Sequence, residues 1–509
     1  MTMIRKTAYV LLLLVTLSCF RDLGNYDYMP VNEAVISESG FESIYDVRRK
    51  SEDALVIEPE ITFTHDAAGE GNYEYEWVAV GQHFYRGERF VIGTERNLDY
   101  YPIELQAEEY ILYLKVKDLD TDMVFSRSVP LQVRSSNTLG WILGGVDPQK
   151  GGQVDMISIS GRMLYLRNAL GKDEDWILDP VTLVWIDNDE WTSEDRLYVG
   201  TAAGSYKFDR ANFAGSPYTS LQYSFAFPEQ GASFMMTDNQ KVSDKRHVVI
   251  VDGKAHEVST DGGMIGNTFC IYGDVDYFSV ADKMICNHTH VQGIRTFVFY
   301  DKDNRKFCYI SGMIVRGMNA LGDGEGDTWS WNTTNDFSGG LDMVTTVNSF
   351  FGSGLSLALM SDPLTDNKWI YEITAPHTGT PVKGGRYQVD KNIAAGFDDA
   401  TGYMLTTNHG FLVYASGTKL YGYNYRKEPQ ECKVLHDFGT PVTCLKADYD
   451  TSEKYSDVFY VATYDDAVDR SGVVYKFQVN DDPDSMGITQ KDVWDEGFLK
   501  VLTMCYKAF

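Results

Sequence analysis

Five side chains in the stretch GDGEGDTWSWNTTND, residues 322–336, have the types and spacing that support chemistry. Asp323, Glu325 and Asp327 alternate with glycines, and Trp329 and Trp331 follow two residues apart. Close-set carboxylates in a glycine-rich loop can wrap a calcium ion, because glycine lets the backbone turn tightly around it. The EF-hand template is not met. Counted from Asp323, it wants Gly at the sixth place and Glu at the twelfth, and Thr328 and Thr334 stand there. No metal is assigned to the loop. Trp329 and Trp331 share one face if their segment is extended. Such a pair either packs in a core or offers flat faces to a sugar ring. Trp329 and Trp331 are therefore the candidate ligand-binding residues, on an excursion expected to be exposed from Gly322 to Asp327 and ordered from Trp329 onward.

A second cluster, CNHTH, places Cys286, His288 and His290 on one face of a strand. Thiolate and imidazole are good zinc ligands, but no fourth ligand is indicated and the spacing matches no standard zinc module. No metal is assigned here either. The chain has no G-x-S-x-G elbow, no H-E-x-x-H pair and no phosphate-binding G-x-x-x-x-G-K-[ST] loop. Acid pairs that glycoside hydrolysis would need occur in DNDEW (187–191), DKD (301–303) and NDDPD (480–484). In so acidic a chain, solvation and turn formation account for them. No catalytic residue and no cofactor are expected.

The elements that carry these residues fall into two stretches of different grammar. About one hundred residues, 31–135, read as an immunoglobulin-like sandwich. LVIEPEITF (55–63) and YEYEW (73–77) are strand candidates, with Trp77 pointing inward. In YILYLKVKD (110–118), Tyr110, Leu112, Leu114 and Val116 alternate with Ile111, Tyr113 and Lys115. That alternation, followed by the turn DLDTD and then MVFSRSVPLQV (123–133), argues for antiparallel pairing.

From residue 140 to 509 one phrase recurs: a strand, a turn, then a strand carrying an aromatic. Its instances are LYVGTAAGSYKFD (197–209), HVVIVDGKAHEVS (247–259), RTFVFYDKDNRKFCYI (295–310), LSLALMSDPLTDNKWIYEI (355–373), FLVYASGTKLYGYN (411–424) and VFYVATYDDAVDRSGVVYKF (458–477). The WILGGV…QVDMISI hairpin (141–159) adds another. A period of roughly fifty residues suits a β-propeller of about seven blades, with one or two β-sandwiches as the alternative. VLTMCYK (501–507) is expected to pair with an early strand and remove an open edge. The fold expected is mostly β, a sandwich followed by a propeller.

The start of the chain sets the compartment. MIRKTAYVLLLLVTLSC has basic Arg5 and Lys6, an apolar run from Ala8 to Leu17 that is too short to span a bilayer, and Ser18 before Cys19. Residues 1–18 read as a signal peptide and 19–30 as a tether. A cysteine in that position resembles the acylated cysteine of bacterial lipoproteins, although Thr16 stands where the usual leucine would, with Leu17 beside it. Cys19 is the expected lipid anchor, and membrane contact is expected through it alone. The formal net charge is -28, and loss of Arg5 and Lys6 makes the mature chain more negative still. Such a surface repels phosphate backbones, which argues against nucleic acid as a partner. Six cysteines follow Cys19: Cys270, Cys286, Cys308, Cys432, Cys444 and Cys505. They are too sparse for a disulfide scaffold and read mostly as buried small apolar residues, with one or two bridges left open.

LGNYDY after Cys19, IGTERNLDYYPIEL (92–105) and the Y-x-L-x-L-x-V-x-D strand resemble the PKD-like family of Bacteroidota surface lipoproteins. The WDFGDG signature of PKD domains is absent. The resemblance implies an accessory or cargo-binding subunit beside a SusC/SusD-type nutrient importer, lipid-anchored at the outer membrane and facing the cell surface. Its cargo would be oligosaccharide or oligopeptide. The alternative from another class is a propeller enzyme, a glycoside hydrolase or lyase, acting on surface glycans.

Overall fold

The structure is a computed structural model that describes residues 31–508, except 50–53, 83–84, 107, 135–138, 160–163, 171–175, 187–195, 211–212, 244–245, 260–262, 274–275, 288–295, 313–316 and 483–485. The expected signal, tether and anchor at Cys19 lie outside the described residues. Two compact units divide the chain, Met1–Arg134 and Ser135–Phe509. Among the described residues regular structure is strand, with four short 3-10 turns, and no helix is long and apolar enough to cross a membrane.

In the first unit a five-stranded sheet runs in the order Tyr45–Arg48, Val124–Arg134, Glu108–Asp118, Tyr73–Gly81, Arg89–Gly93. The first pair is parallel and the others are antiparallel. The alternation read from residues 110–116 is realised: Tyr110, Leu112, Leu114 and Val116 are buried, while Ile111, Tyr113 and Lys115 are half-buried on the other face. Trp77 is fully buried opposite Leu114, and its indole N–H donates to the Glu95 carbonyl at 3.0 Å. Full burial of such side chains contributes about 1.5–3 kcal/mol each. The single strand expected over 55–63 is corrected to two. Leu55–Ile57 pairs with Leu98–Tyr100, and Ile61–Phe63 pairs with Ala34–Ile36. Pro59 sits between them with no N–H for a ladder. Both pairs share one core with the five-stranded sheet.

Among the described residues the second unit is a succession of seven small antiparallel sheets, six of four strands and one of three, plus the small hairpin Ile271–Tyr272/Asp276–Tyr277. Each recurring phrase of the sequence is one hairpin of one sheet. The hairpins are Gly140–Asp147/Gly151–Ser158, Arg196–Thr201/Gly204–Asp209, Arg246–Val251/Lys254–Ser259, Thr296–Asp301/Lys306–Ser311, Leu355–Ser361/Lys368–Thr374, Leu412–Ser416/Lys419–Asn424 and Val458–Thr463/Gly472–Val479. The first strand of each hairpin is buried almost along its length, as in Thr296–Asp301 and Val458–Thr463, because neighbours cover both faces. Second strands such as Lys419–Asn424 are only partly buried.

Each sheet shares one apolar core with the sheet before it and another with the sheet after it. Leu183, Tyr198 and Val249 join the second to the third, and Phe297, Phe299 and Val248 the third to the fourth. The order then returns to its start: Trp141, Leu143, Tyr460, Ala462 and Met504 form one core between the seventh sheet and the first. Lys500–Lys507 completes the first sheet by antiparallel pairing with Gly140–Asp147. The pairing slips register between Gly144 and Gly145, where a Cβ on Gly145 would stand 1.9 Å from the Lys500 carbonyl oxygen. Only glycine permits so close an approach. All six cysteines after Cys19 are free thiols, and all but Cys432 are buried.

Candidate functional site

The loop 322–336 leaves the fourth sheet after Asn319–Ala320 and reaches the fifth at Asp342–Val347. Residues 322–328 are exposed, as expected, and burial begins at Trp329. The stacking platform expected of the tryptophans is corrected. Trp329 is 2% and Trp331 4% exposed, and both belong to the core between the fourth and fifth sheets. Their rings meet edge to face at 4.8 Å, and Trp329 meets Tyr371 in the same way at 4.8 Å. The Trp329 indole N–H donates to the Gly384 carbonyl at 2.9 Å, and Phe307 N–H donates to the Trp331 carbonyl at 2.9 Å. The backbone bends at Thr328, Trp329 and Trp331 instead of running extended, and both rings turn inward.

The loop's acids do hold a cation, and it belongs to the chain. The Lys383 ammonium, on strand Val382–Gln388, donates to Asp323 at 2.8 Å, to Asp327, and to the Trp329 carbonyl at 2.7 Å. It lies 5.0 Å from the Trp329 ring centre and 5.2 Å from that of Trp331. Asp323 also accepts the Ser330 hydroxyl at 2.6 Å and the Trp331 N–H at 2.9 Å. Burial works against its charge, yet Lys383, Ser330 and Trp331 together hold the carboxyl below the ordinary carboxylate range. The Lys383 hydrogen bond lowers Asp327 in the same way. Asp336 likewise binds Arg386 at 2.6 Å and the Ser330 N–H at 2.9 Å. The arrangement fastens the loop over the two tryptophans.

Other sequence candidates are dispersed. Cys286 is buried, with its thiol 3.3 Å from the Gln240 side-chain oxygen, and its N–H donates to Asn348. His288, His290 and the DNDEW acids lie outside the described residues. Asp301 turns the chain by accepting the N–H groups of Asp303 and Asn304, and Asp303 accepts from Ser279.

Sequence reasoning missed how the buried carboxylates are used. Asp155, fully buried in the first sheet, accepts Asn168 N–H at 2.8 Å and Leu499 N–H at 2.9 Å and pairs with Arg470. Arg470 also pairs with Asp147. Burial lifts the Asp155 pKa despite these partners. Asp238 accepts Met284 N–H at 2.9 Å, and Asp457 accepts Thr407 N–H and Asn408 N–H. Glu372 accepts the Tyr425 hydroxyl at 2.9 Å and pairs with Arg426. The Asp155–Asn168 bond stays beside the first sheet, whereas the bonds to Arg470, Met284, Thr407, Asn408, Tyr425 and Arg426 each join one sheet to the next. Asp362 and Asp448 close turns within their own sheets.

Among the described residues the two most exposed aromatic side chains, Tyr218 and Phe227, lie elsewhere, between the second and third sheets. After Gly204–Asp209 the chain makes two 3-10 turns, Pro217–Thr219 and Leu221–Ser224, before Met236–Ser243. Leu221 and Phe213 anchor this segment at 0% exposure, while Tyr218, Tyr223 and Phe227 are 80%, 61% and 74% exposed.

No curated protein matches the chain. A quinoprotein alcohol dehydrogenase-like protein of Bacteroides thetaiotaomicron is similar in structure at TM-score 0.40 and 11% identity, over 94% of this chain and 100% of the other. The extracellular domain of a putative one-component system from the same species gives TM-score 0.34 and 8% identity, over 87% and 59%. An ancestral GH74 enzyme gives TM-score 0.36 and 11% identity, over 72% and 54%. At this level of similarity no function passes from them to this chain. Residues 19–170, the first unit and the opening of the second, match the sequence model of the PKD-like family.

Proposed function

We propose that the chain is a non-catalytic accessory lipoprotein, anchored through Cys19 at the outer membrane and facing the cell surface. There it serves a SusC/SusD-type importer by holding oligosaccharide or oligopeptide cargo. In this reading the second unit is a seven-bladed β-propeller. Seven antiparallel sheets in chain order, and a core shared by the last and the first, support that description.

One observation carries the choice of binding over catalysis. The buried carboxylates of the second unit accept hydrogen bonds from the chain's own N–H groups and cations, as Asp155, Asp238, Glu372 and Asp457 do. An acid so engaged is a fastener, whereas a general acid needs a free proton-bearing oxygen facing its substrate. Copurification from detergent-solubilised membranes tests the assembly. SusC- and SusD-type subunits should accompany the tagged chain, and Cys19→Ala should release it from the membrane fraction. Purification without either subunit at native expression levels would sink the proposal.

A further inference from the structure

We propose that residues 213–228 form a binding platform for a neutral oligosaccharide, with Tyr218 and Tyr223 as the stacking residues. This rests on reading the chain as a cargo-binding protein and names the cargo class.

The first argument is charge. The chain is 23% charged with a net charge of -28, yet FAGSPYTSLQYSFAFP (213–228) contains no Asp, Glu, Lys or Arg. The segment is built from Tyr, Phe, Ser, Thr and Gln instead. Rings offer faces to the apolar side of a sugar, and short hydroxyls and an amide offer hydrogen bonds to its OH groups. Nothing in the segment would match a phosphate, a carboxylate or a charged peptide, and the surrounding acidic protein repels anions.

The second argument is anchoring. Buried and exposed aromatic or apolar residues interleave along the segment: Phe213 and Leu221 point in, Tyr218, Tyr223 and Phe227 point out. Phe225 packs edge to face on Phe234 at 5.3 Å and on His256 at 5.1 Å. Ala226 N–H donates to the Ile265 carbonyl at 3.0 Å, and the Thr219 hydroxyl to the Ser216 carbonyl at 2.7 Å. Gly215 lies flat against Phe208, where a Cβ would stand 2.5 Å from the ring. A loop tied down at so many points keeps its rings in place, so little ordering entropy is lost on binding.

The third argument is the pair itself. The Tyr218 and Tyr223 ring centres are 6.5 Å apart with planes tilted by 41°, a shallow angled surface rather than a closed stack. Neither hydroxyl has a hydrogen-bond partner among the described residues, so both are available to a ligand. Single exposed apolar residues are ordinary on any surface, but two exposed rings this close on an uncharged segment form a joint surface.

Affinity electrophoresis of the mature chain tests the proposal, with gels containing xyloglucan, galactomannan, glycogen or yeast mannan, and polygalacturonate as the acidic control. At least one neutral polysaccharide should retard the protein, and polygalacturonate should not. Tyr218→Ala with Tyr223→Ala should weaken that retardation ten-fold or more while the melting temperature is kept. Tyr277→Ala, an exposed ring outside the segment, should change nothing. Free migration in all four neutral gels, or retardation undiminished in the double variant, would overturn the platform. Loss of importer copurification in the double variant would mark the patch as a protein interface and also overturn it. Failure of the wild-type chain to copurify, with glycan binding intact, would count against the importer assembly alone.

Discussion

Arg470 and Asp155 pair across the junction of the seventh sheet with the first, and Asp155 is fully buried. Arg470 precedes Gly472–Val479, Asp155 lies within Gly151–Ser158, and the same guanidinium donates to the Gly497 carbonyl at 3.0 Å. Arg470→Met should cost about 3–5 kcal/mol, because it strands a buried carboxylate without its countercharge. The pH dependence has a definite sign. Burial raises the folded pKa of Asp155 above its unfolded value near 3.8. Stability tied to that proton is fully present below the unfolded value and is lost as pH rises through the folded one. The deficit of Arg470→Met should therefore be smallest in acid and grow toward neutrality. Urea denaturation at a series of pH values reads this out, and a pH-independent deficit would contradict it.

Trp329→Ala should destabilise the second unit by about 3–5 kcal/mol, the cost of emptying a large core site. Trp331→Ala should behave similarly, since both rings lie in one core. Thermal melting distinguishes this from an exposed stacking role, in which the melting temperature would hold.

Lys383→Met should cost about 0.5–2 kcal/mol through loss of the cation held over two indoles. Its acid partner shows the opposite pH sign to Asp155. Asp323 is held below the ordinary aspartate value of 3.8, so its contribution is present above that value and is lost as pH falls through the folded one. Its side chain is 38% exposed, so Asp323→Asn should cost no more than about 1 kcal/mol near neutrality after solvent screening. The difference from wild type should vanish in strong acid. Melting curves of the two proteins that fail to converge at low pH would refute the assignment.

Gly145→Val should disrupt the pairing with Lys500–Lys507, since its Cβ has nowhere to go. More than about 2 kcal/mol is expected from strain and lost ladder bonds. Gly266→Val, where a Cβ meets only the Glu257 carbonyl at 3.7 Å, is the control. Hydrogen exchange should show Trp141–Leu143 losing protection in the first variant only.

What was legible in the sequence is what depends on neighbours along the chain. Alternation over residues 110–116 fixed which face is buried, since strand side chains change sides at every step. The recurring strand-turn-strand phrase fell on the hairpins because a hairpin's partners are adjacent in sequence. The use of Asp323 was not legible, because Lys383 lies sixty residues on and is one of many lysines and arginines. Arg470 and Asp155 are 315 residues apart, and nothing local marks either as the other's partner. The inward turn of Trp329 depended on a fifth sheet arriving to cover it. The one unread local signal was the missing charge between Phe213 and Pro228.

The union of Gly140–Asp147 with Lys500–Lys507 also sets an order of events in time. Synthesis runs from the N-terminus, so the first unit has all its strands once Arg134 has emerged. The second cannot finish until its last strand is made, and its core around Trp141 and Met504 waits with it. During those seconds the nascent chain carries an apolar open edge, a template on which other chains can pair. A fold built this way delays the completion of its first sheet until Lys500–Lys507 has been made.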